Sequence, residues 1–264
     1  EYSVEAGAIR RDYTESSNDY GDVVASATYR RGLTDTVTAG GHVEAQSQGA
    51  AAAGADAAVQ VGNVGIVSGS AAVGGDGNDQ GWLGRLGFER NGQRVSLYAQ
   101  GLYASRGFAQ LGDTVLEDQP KLRLFGGLGF NFLDFGNLQL AYGLQTNWLT
   151  PSVETFGLGY SYGLGNLGFL NLFASHTSAD ETESDVYLTW TVPVGDRRTA
   201  SASLARTAGG VQGNGFEAAA SFQQSLPVGT GSGFSAFVSS TDRANLGYAY
   251  QGSAGLIGVD YARA

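Results

Sequence analysis

The stretch Leu122-Arg123-Leu124-Phe125-Gly126-Gly127-Leu128-Gly129-Phe130-Asn131-Phe132 decides the fold. Leu122, Leu124, Leu128, Phe130 and Phe132 fall on one side, interrupted by Gly126, while Arg123, Gly127, Gly129 and Asn131 fall on the other. That period of two is the signature of a β-strand. It recurs down the chain. Leu138, Leu140, Tyr142, Leu144 and Trp148 alternate with Gln139, Ala141, Gly143, Gln145 and Asn147. Phe156, Leu158, Tyr160, Tyr162 and Leu164 alternate with Gly157, Gly159, Ser161 and Gly163. Val186, Leu188, Trp190 and Val192 alternate with Thr189 and Thr191, although Tyr187 breaks the polar side. Each stretch is about ten residues long, the length of a tilted strand crossing a bilayer and about twice a typical soluble strand.

The polar sides carry Gly, Ser, Thr, Asn and Gln with a thin scatter of Arg, where an open soluble surface would carry Lys and Glu. Only 15% of the residues are charged, against about 25% in ordinary soluble domains. So many long apolar faces would aggregate in water, and lipid is their natural solvent, with the polar sides turned to a watery interior. Tyr20, Tyr29, Tyr98, Tyr103, Trp82 and Trp148 lie near strand ends, where the girdles of outer-membrane barrels sit. The fold expected is all-β: a transmembrane antiparallel up-and-down β-barrel of about 16–18 strands, about seventeen by direct count.

Composition narrows the function classes. The 264 residues include 42 Gly and 4 Pro, with no Cys and no Met. Without thiols there is no disulfide framework, no thiolate zinc site and no thiol nucleophile. Acidic side chains outnumber basic ones 25 to 15, a net charge of −10 with a pI of about 4.6, so phosphate backbones are repelled and no nucleic-acid partner is expected. The 42% apolar content is too high for a disordered chain. A mean hydropathy of −0.12 without a long apolar run excludes membrane-spanning helices. Residue 1 is Glu, with no charged-then-apolar leader after it, and the expectation is a processed protein or an excised piece.

Connections give sidedness. Short turns read at Gly32 to Asp35, Gly62-Asn63, Asn91-Gly92, Asp134 to Asn137, Gly165-Asn166, Gly195-Asp196 and Gly229 to Gly231, where Asn, Asp and Gly tolerate the positive φ of tight hairpins. Longer connections read at Asp12 to Asp19, Gly74 to Gln80, Ser105 to Pro120, Thr150 to Glu154, Ser178 to Ser184 and Ala208 to Gly215. Barrels of this class keep short turns in the periplasm and long loops outside. No composition shift or linker divides the chain, so residues 1–264 read as one barrel domain or barrel segment.

Particular residues add to the pattern. Tyr2-Ser3-Val4-Glu5-Ala6-Gly7-Ala8-Ile9-Arg10, Ser17 to Gly21, Ala27-Thr28-Tyr29-Arg30-Arg31-Gly32-Leu33-Thr34-Asp35 and Gly40 to Ala45 follow one another in order. Val61 to Gly65, Tyr103 to Phe108, Pro193 to Ala202, Gln224 to Pro227, Gly229 to Gly231 and Tyr248 to Gly252 continue the series. This series resembles the barrel of the outer-membrane ushers of the chaperone–usher pathway, which builds pili and fimbriae. The resemblance spans nearly the whole chain and rests mainly on the order of its motifs. It implies a barrel of about two dozen strands in the family, with a plug and soluble periplasmic domains that are not recognisable here. The first strand resembles the one following the plug, so the chain is expected to be a barrel fragment. It also implies localisation in the bacterial outer membrane and contact with lipid and lipopolysaccharide. The implied partners are pilus subunits delivered by a periplasmic chaperone.

On that reading the wall of the pore is formed by Arg123, Asn131, Gln139, Gln145, Asn147, Ser161, Asn171, Thr189 and Thr191. A weakly charged amide and hydroxyl wall lets a folded subunit slide without sticking, and strand exchange between subunits supplies the energy. Ser105 to Pro120 is the longest loop and a candidate constriction, with Arg106, Asp113, Glu117 and Lys121 near the opening, or else a cover over the outer rim. The alternative function is a self-contained porin-like channel for small solutes, narrowed by charges on an inward loop.

Other motifs have plainer readings. His42 and His176 are the only histidines, both inside strand-like segments, and a lumen-facing or girdle role is expected for them, with no enzymatic activity. Gly163-Leu164-Gly165-Asn166-Leu167-Gly168 fits the dinucleotide pattern, but Phe169 to Ala174 reads as strand where that pattern needs a helix. Gly74 to Gly81 matches one copy of a calcium-binding nonapeptide repeat, and one copy builds no ladder of sites. No cofactor or metal is expected. Asp180, Glu181, Glu183 and Asp185, and likewise Asp113, Glu117 and Asp118, read as outer loop clusters, either solvated or bridged through divalent cations to lipopolysaccharide.

Overall fold

The structure is a computed structural model that describes residues 1–10, 18–47, 49–111, 120–211 and 213–263. The described residues form seventeen strands. The first nine are β1 (Tyr2–Arg10), β2 (Tyr20–Gly32), β3 (Val37–Gln46), β4 (Ala51–Val61), β5 (Gly65–Gly75), β6 (Gln80–Asn91), β7 (Val95–Ala104), β8 (Pro120–Asn131) and β9 (Asn137–Asn147). The remainder are β10 (Val153–Gly163), β11 (Phe169–Ser178), β12 (Thr182–Pro193), β13 (Arg198–Gly209), β14 (Gly215–Gln224), β15 (Gly231–Ser239), β16 (Ala244–Gly252) and β17 (Gly255–Arg263). Each strand is hydrogen-bonded to the next one in the chain, and the only helical turns among the described residues are two short 3₁₀ segments, Leu133–Phe135 and Gly165–Leu167. Strand lengths run from 9 residues in β1 to 13 in β2, as the alternation requires.

Among the described residues there is no apolar core of the kind a soluble chain of this size would have. The buried apolar side chains among the described residues are Ala50, Ala104, Phe108 and Ala109, while large apolar side chains such as Leu86, Val73, Leu204 and Ile257 are exposed. A soluble domain of this length would bury its leucines and valines between layers. Here the apolar faces are left for another medium.

The chain divides into two units, Glu1–Leu128 with Tyr142–Glu154, and Gly129–Ala141 with Thr155–Ala264. In the first, unbroken antiparallel registers link β1 through β7 apart from one bulge between Ala8 and Arg10. Its polar face carries Thr28, His42, Glu44, Asp56, Ser70, Arg85 and Gln100, and its apolar face carries Tyr29, Val43, Val73, Trp82 and Tyr103. Tyr98 stands opposite Glu89 on the polar face, where a Cβ at Gly127 would strike its ring, so it is not part of an apolar-side girdle. Trp82 and Tyr103 do lie on the apolar side, with ring centroids 5.1 Å apart.

In the second unit, Asn171, Thr189, Ser203 and Ala219 form one cross-strand row of the polar face, and Thr191, Ser201 and Ser221 form the next. Leu172, Leu188, Leu204 and Ala218 run along the other face. The connection expected to be long at Ser178 to Ser184 spans only residues 179–181. Glu183 and Asp185 therefore belong to β12, on its polar face, and Asp185 accepts a hydrogen bond from Thr207 at 2.7 Å. The acidic run was misplaced because strand residues on a watery face are as polar as loop residues.

Candidate functional site

In the first unit the polar face is covered by a piece of its own chain. Glu44 on β3, Ala52 on β4, Gly74 on β5 and Gly81 on β6 form one cross-strand row. Beside it run His42, Gly54, Ala72 and Leu83. Residues 105–111, which follow β7, lie along the first row. A Cβ at Gly81 would overlap the backbone nitrogen of Phe108, and a Cβ at Gly74 would overlap the carbonyl oxygen of Ala109. Glycine is required at both positions because backbone approaches backbone there. Phe108 and Ala109 are 5% and 8% exposed, burial that is exceptional in this chain.

Both ends of this segment are tied. At its start the Ser105 amide donates to the Trp82 carbonyl at 2.9 Å, and the Trp82 amide donates to Ser105 Oγ at 2.8 Å. At its far end the Leu111 amide donates to Glu44 Oε1 at 2.7 Å. The other carboxylate oxygen of Glu44 lies 2.9 Å from His42 Nε2, and His42 Nδ1 lies 2.8 Å from Thr28 Oγ1. This hydroxyl, imidazole and carboxylate line fixes the carboxylate that receives the Leu111 amide. A cavity of about 340 Å³ beneath the segment is lined by His42, Asp56, Arg85, Phe108 and Gln110 among others. Nearby, Arg30 reaches across Gly40 to Asp56 at 3.6 Å. A Cβ at Gly40 would approach Asp56 Oδ1 to 2.6 Å.

The residues expected to line a pore fall into two groups. Arg123, Gln145 and Asn147 meet in the first unit. Arg123 Nε donates to Gln145 Oε1 at 2.8 Å, Gln145 Nε2 donates to Asn147 Oδ1 at 2.9 Å, and Asn147 Nδ2 donates to Thr150 Oγ1 at 2.8 Å. In the second unit, Asn171 stands opposite Thr189, and Thr191 opposite Phe169 and Ser201. Gln139 lies on the side of β9 that meets Gly159. Ser161 follows two residues later on the same side of β10 as Gly159. Asn131 ends β8, and its Oδ1 accepts the Leu133 amide at 2.9 Å, so it serves the turn.

Of the four residues assigned to a constriction, Arg106 is exposed on the segment 105–111. Lys121 Nζ sits 4.9 Å from the ring centroid of Trp148, whose indole N–H donates to the Ala104 carbonyl. Asp113 and Glu117 lie outside the described residues, as does Asp118. Glu44, Phe108 and Ala109 were not anticipated. The available signal was the run of Ala and Gly at polar-face positions 52, 54, 72, 74 and 81, where the rest of the wall favours larger polar side chains.

The sequence motifs with alternative readings resolve locally. Gly165 and Gly168 have φ of +60° and +86° around the 3₁₀ turn that leads straight into β11, so the glycine pattern is a hairpin connection. Gly74 and Gly75 end β5, and Asp76 Oδ1 accepts the amides of Asn78 and Asp79, both at 3.0 Å. Backbone donation by Asp79, then by Asn78, holds the Asp76 carboxyl below its ordinary range. His176 Nδ1 pairs with Ser184 Oγ at 2.8 Å on the apolar face.

Long antiparallel strands joined in chain order, with one exposed apolar face and one face of hydroxyls, amides and glycine, are the pattern of the up-and-down β-barrel class. Among solved structures, the chain is similar to the P pilus usher PapC translocation pore, with a TM-score of 0.68 and 17% identity over 99% of this chain and 56% of that one. It is similar to the E. coli P pilus tip assembly intermediate PapC–PapD–PapK–PapG, at a TM-score of 0.75 and 17% identity over 99% of this chain and 35% of that one. A crystal structure of the usher PapC translocation pore matches at 0.65, again with 17% identity, over 99% and 55%. The chain thus spans between 35% and 56% of the length of these usher chains. No family model and no curated protein matches the sequence. The fold is usher-barrel-like.

Proposed function

We propose that this chain is the membrane-embedded barrel portion of a bacterial outer-membrane usher, a non-enzymatic conduit for folded pilus subunits delivered by a periplasmic chaperone. The observation that carries the reading is the separation of two faces within each unit of an usher-like fold: apolar side chains such as Val43 and Val73, or Leu172 and Leu188, on one, and Arg123 and Gln145 in the first unit, or Asn171, Thr189 and Ser201 in the second, on the other. Lipid and lipopolysaccharide surround the first face. The second offers hydrogen-bonding groups without deep apolar traps, so a folded passenger moves along it. No cofactor takes part.

The test is site-specific photo-crosslinking in cells assembling pili. A photoreactive side chain in place of Asn171 or Thr189 is expected to capture a pilus subunit, and one in place of Leu172 is expected to capture lipid or nothing. Absence of subunit adducts from every polar-face position would remove the proposal.

One observation favours a second reading, a porin-like channel for small solutes: residues 105–111 lie on the polar face and would narrow a lumen there. Proteoliposomes carrying the chain separate the two readings, since swelling in small sugars without subunit capture is the porin's outcome.

A further inference from the structure

We infer that residues 105–111 are a strap latched to the polar face by Glu44, and that the strap is releasable at that latch while it stays hinged at Ser105. The strap crosses from β6 over β5 and β4 to β3 along the row Gly81, Gly74, Ala52 and Glu44. Three features make this a latch and not ordinary loop packing. The floor is cut to backbone thickness by Gly74 and Gly81, so the strap rests on it with few interlocking side chains, Phe108 being the large one. The hinge end is doubly tied to Trp82, which belongs to the regular ladder. The far end is tied through a backbone amide to a carboxylate, a charge-assisted bond independent of which side chain stands at position 111. His42 and Thr28 orient that carboxylate from β3 and β2. Charged groups on the same face include Glu5 on β1, in the Glu44 row through Ser26, Asp22 and Arg30 on β2, Asp56 on β4, and Arg85 and Glu89 on β6.

The chain has no cysteine, which makes single-thiol reporters clean. Ala109→Cys, at a position 8% exposed, places a thiol in the strap itself where it rests on the floor, and Ser239→Cys, also 8% exposed, places one on β15 in the other unit. With the full chain folded in detergent, the rate of reaction with a bulky water-soluble maleimide is measured for each reporter. Glu44→Ala is expected to accelerate labelling of Ala109→Cys about tenfold or more, the effect of losing one hydrogen bond to a charged acceptor. Gly81→Ala, whose Cβ would press on the Phe108 backbone and on Ser105 Oγ, is expected to accelerate labelling as well, by lifting the strap from its floor and not by opening the latch. Glu44→Gln keeps an acceptor for the Leu111 amide but not its charge, and is expected to label at a rate between those of the parent and Glu44→Ala. Labelling of Ser239→Cys is expected to stay constant throughout. The inference is overturned if Glu44→Ala leaves the Ala109→Cys rate unchanged, if Glu44→Gln and Glu44→Ala behave alike, or if Ser239→Cys accelerates in parallel and shows general loosening. These readouts hold whether or not the face lines a conduit.

Discussion

Phe173 on β11 stands directly opposite Tyr187 on β12, their ring centroids 6.3 Å apart at an interplanar angle of 38°. They share a face with Asn171, Ser175, Thr189 and Asp185, so the polar wall carries an aromatic rung. Tyr187 interrupts the alternation of its strand, and its partner gives the reason: the two rings cover each other where neither has a core to enter.

Such a rung stabilises the hairpin itself. Cross-strand aromatic pairs contribute about 0.5–1 kcal/mol beyond their separate burial. In a double-mutant cycle of Phe173→Ala and Tyr187→Ala, followed by denaturant unfolding from micelles, the coupling is expected in that range. Simple additivity would show that the rings do not support each other.

The medium against the apolar face is tested by Leu204, 46% exposed in the middle of β13. If water covered it, Leu204→Arg would change stability by no more than about 0.5 kcal/mol, as for most surface substitutions. If hydrocarbon covers it, the cost is about 2–4 kcal/mol. Ser203→Arg, one residue away on the polar face, is expected to cost less than about 1 kcal/mol. Unfolding in lipid vesicles measures both, and equal costs would contradict the assignment of faces.

Strand content and facing were legible because a period of two needs only apolar side chains at alternate positions, and Leu122 to Phe132 supplies them without interference. Hairpin turns such as Gly165 to Gly168 were legible through residues that tolerate positive φ. The hydrogen-bonded line of Arg123, Gln145 and Asn147 was visible as polar positions on adjacent strands, though not its geometry. For residues 105–111 the sequence left two readings open, a constriction or a cover over the rim, and the row on which they lie was not legible, because it depends on Ala52, Gly74 and Gly81 meeting across strands, and register between strands is set by turns and pairing over the whole sheet. Glu183 and Asp185 were placed in a loop for a related reason. Polarity marks exposure to water, and on a strand with a watery face it does not mark where the strand ends.

The Asp76 turn is expected to respond to acid. Its carboxyl is held below the ordinary value of 3.8 by the amides of Asp79 and Asn78, so the folded form binds its proton less readily than the unfolded one. The contribution to turn order is therefore complete above the ordinary carboxylate range and is lost as the pH falls through the lowered value. Amide shifts of Asn78 and Asp79 followed by NMR are expected to titrate with a midpoint below 3.8. Asp76→Asn removes the titration and keeps an acceptor. A midpoint at or above the ordinary value would show that the two amides do not hold the charged form.

Gly163 and Gly168 bracket one hairpin and differ in what confines them. Gly168 has φ of +86°, and a Cβ there would overlap the Thr191 carbonyl oxygen on β12. Gly163 ends β10 with open space where a Cβ would go. Gly168→Ala is thus expected to destabilise by about 1–3 kcal/mol through backbone strain, with a further cost from pushing β12 away. Gly163→Ala is expected to lie within about 0.5 kcal/mol of the parent. If the glycine pattern instead served a nucleotide phosphate, both substitutions would abolish binding of NADH and neither would need to affect unfolding. Equilibrium unfolding and NADH fluorescence on the same two variants distinguish the cases, and a stable Gly168→Ala that had lost NADH binding would defeat the hairpin account.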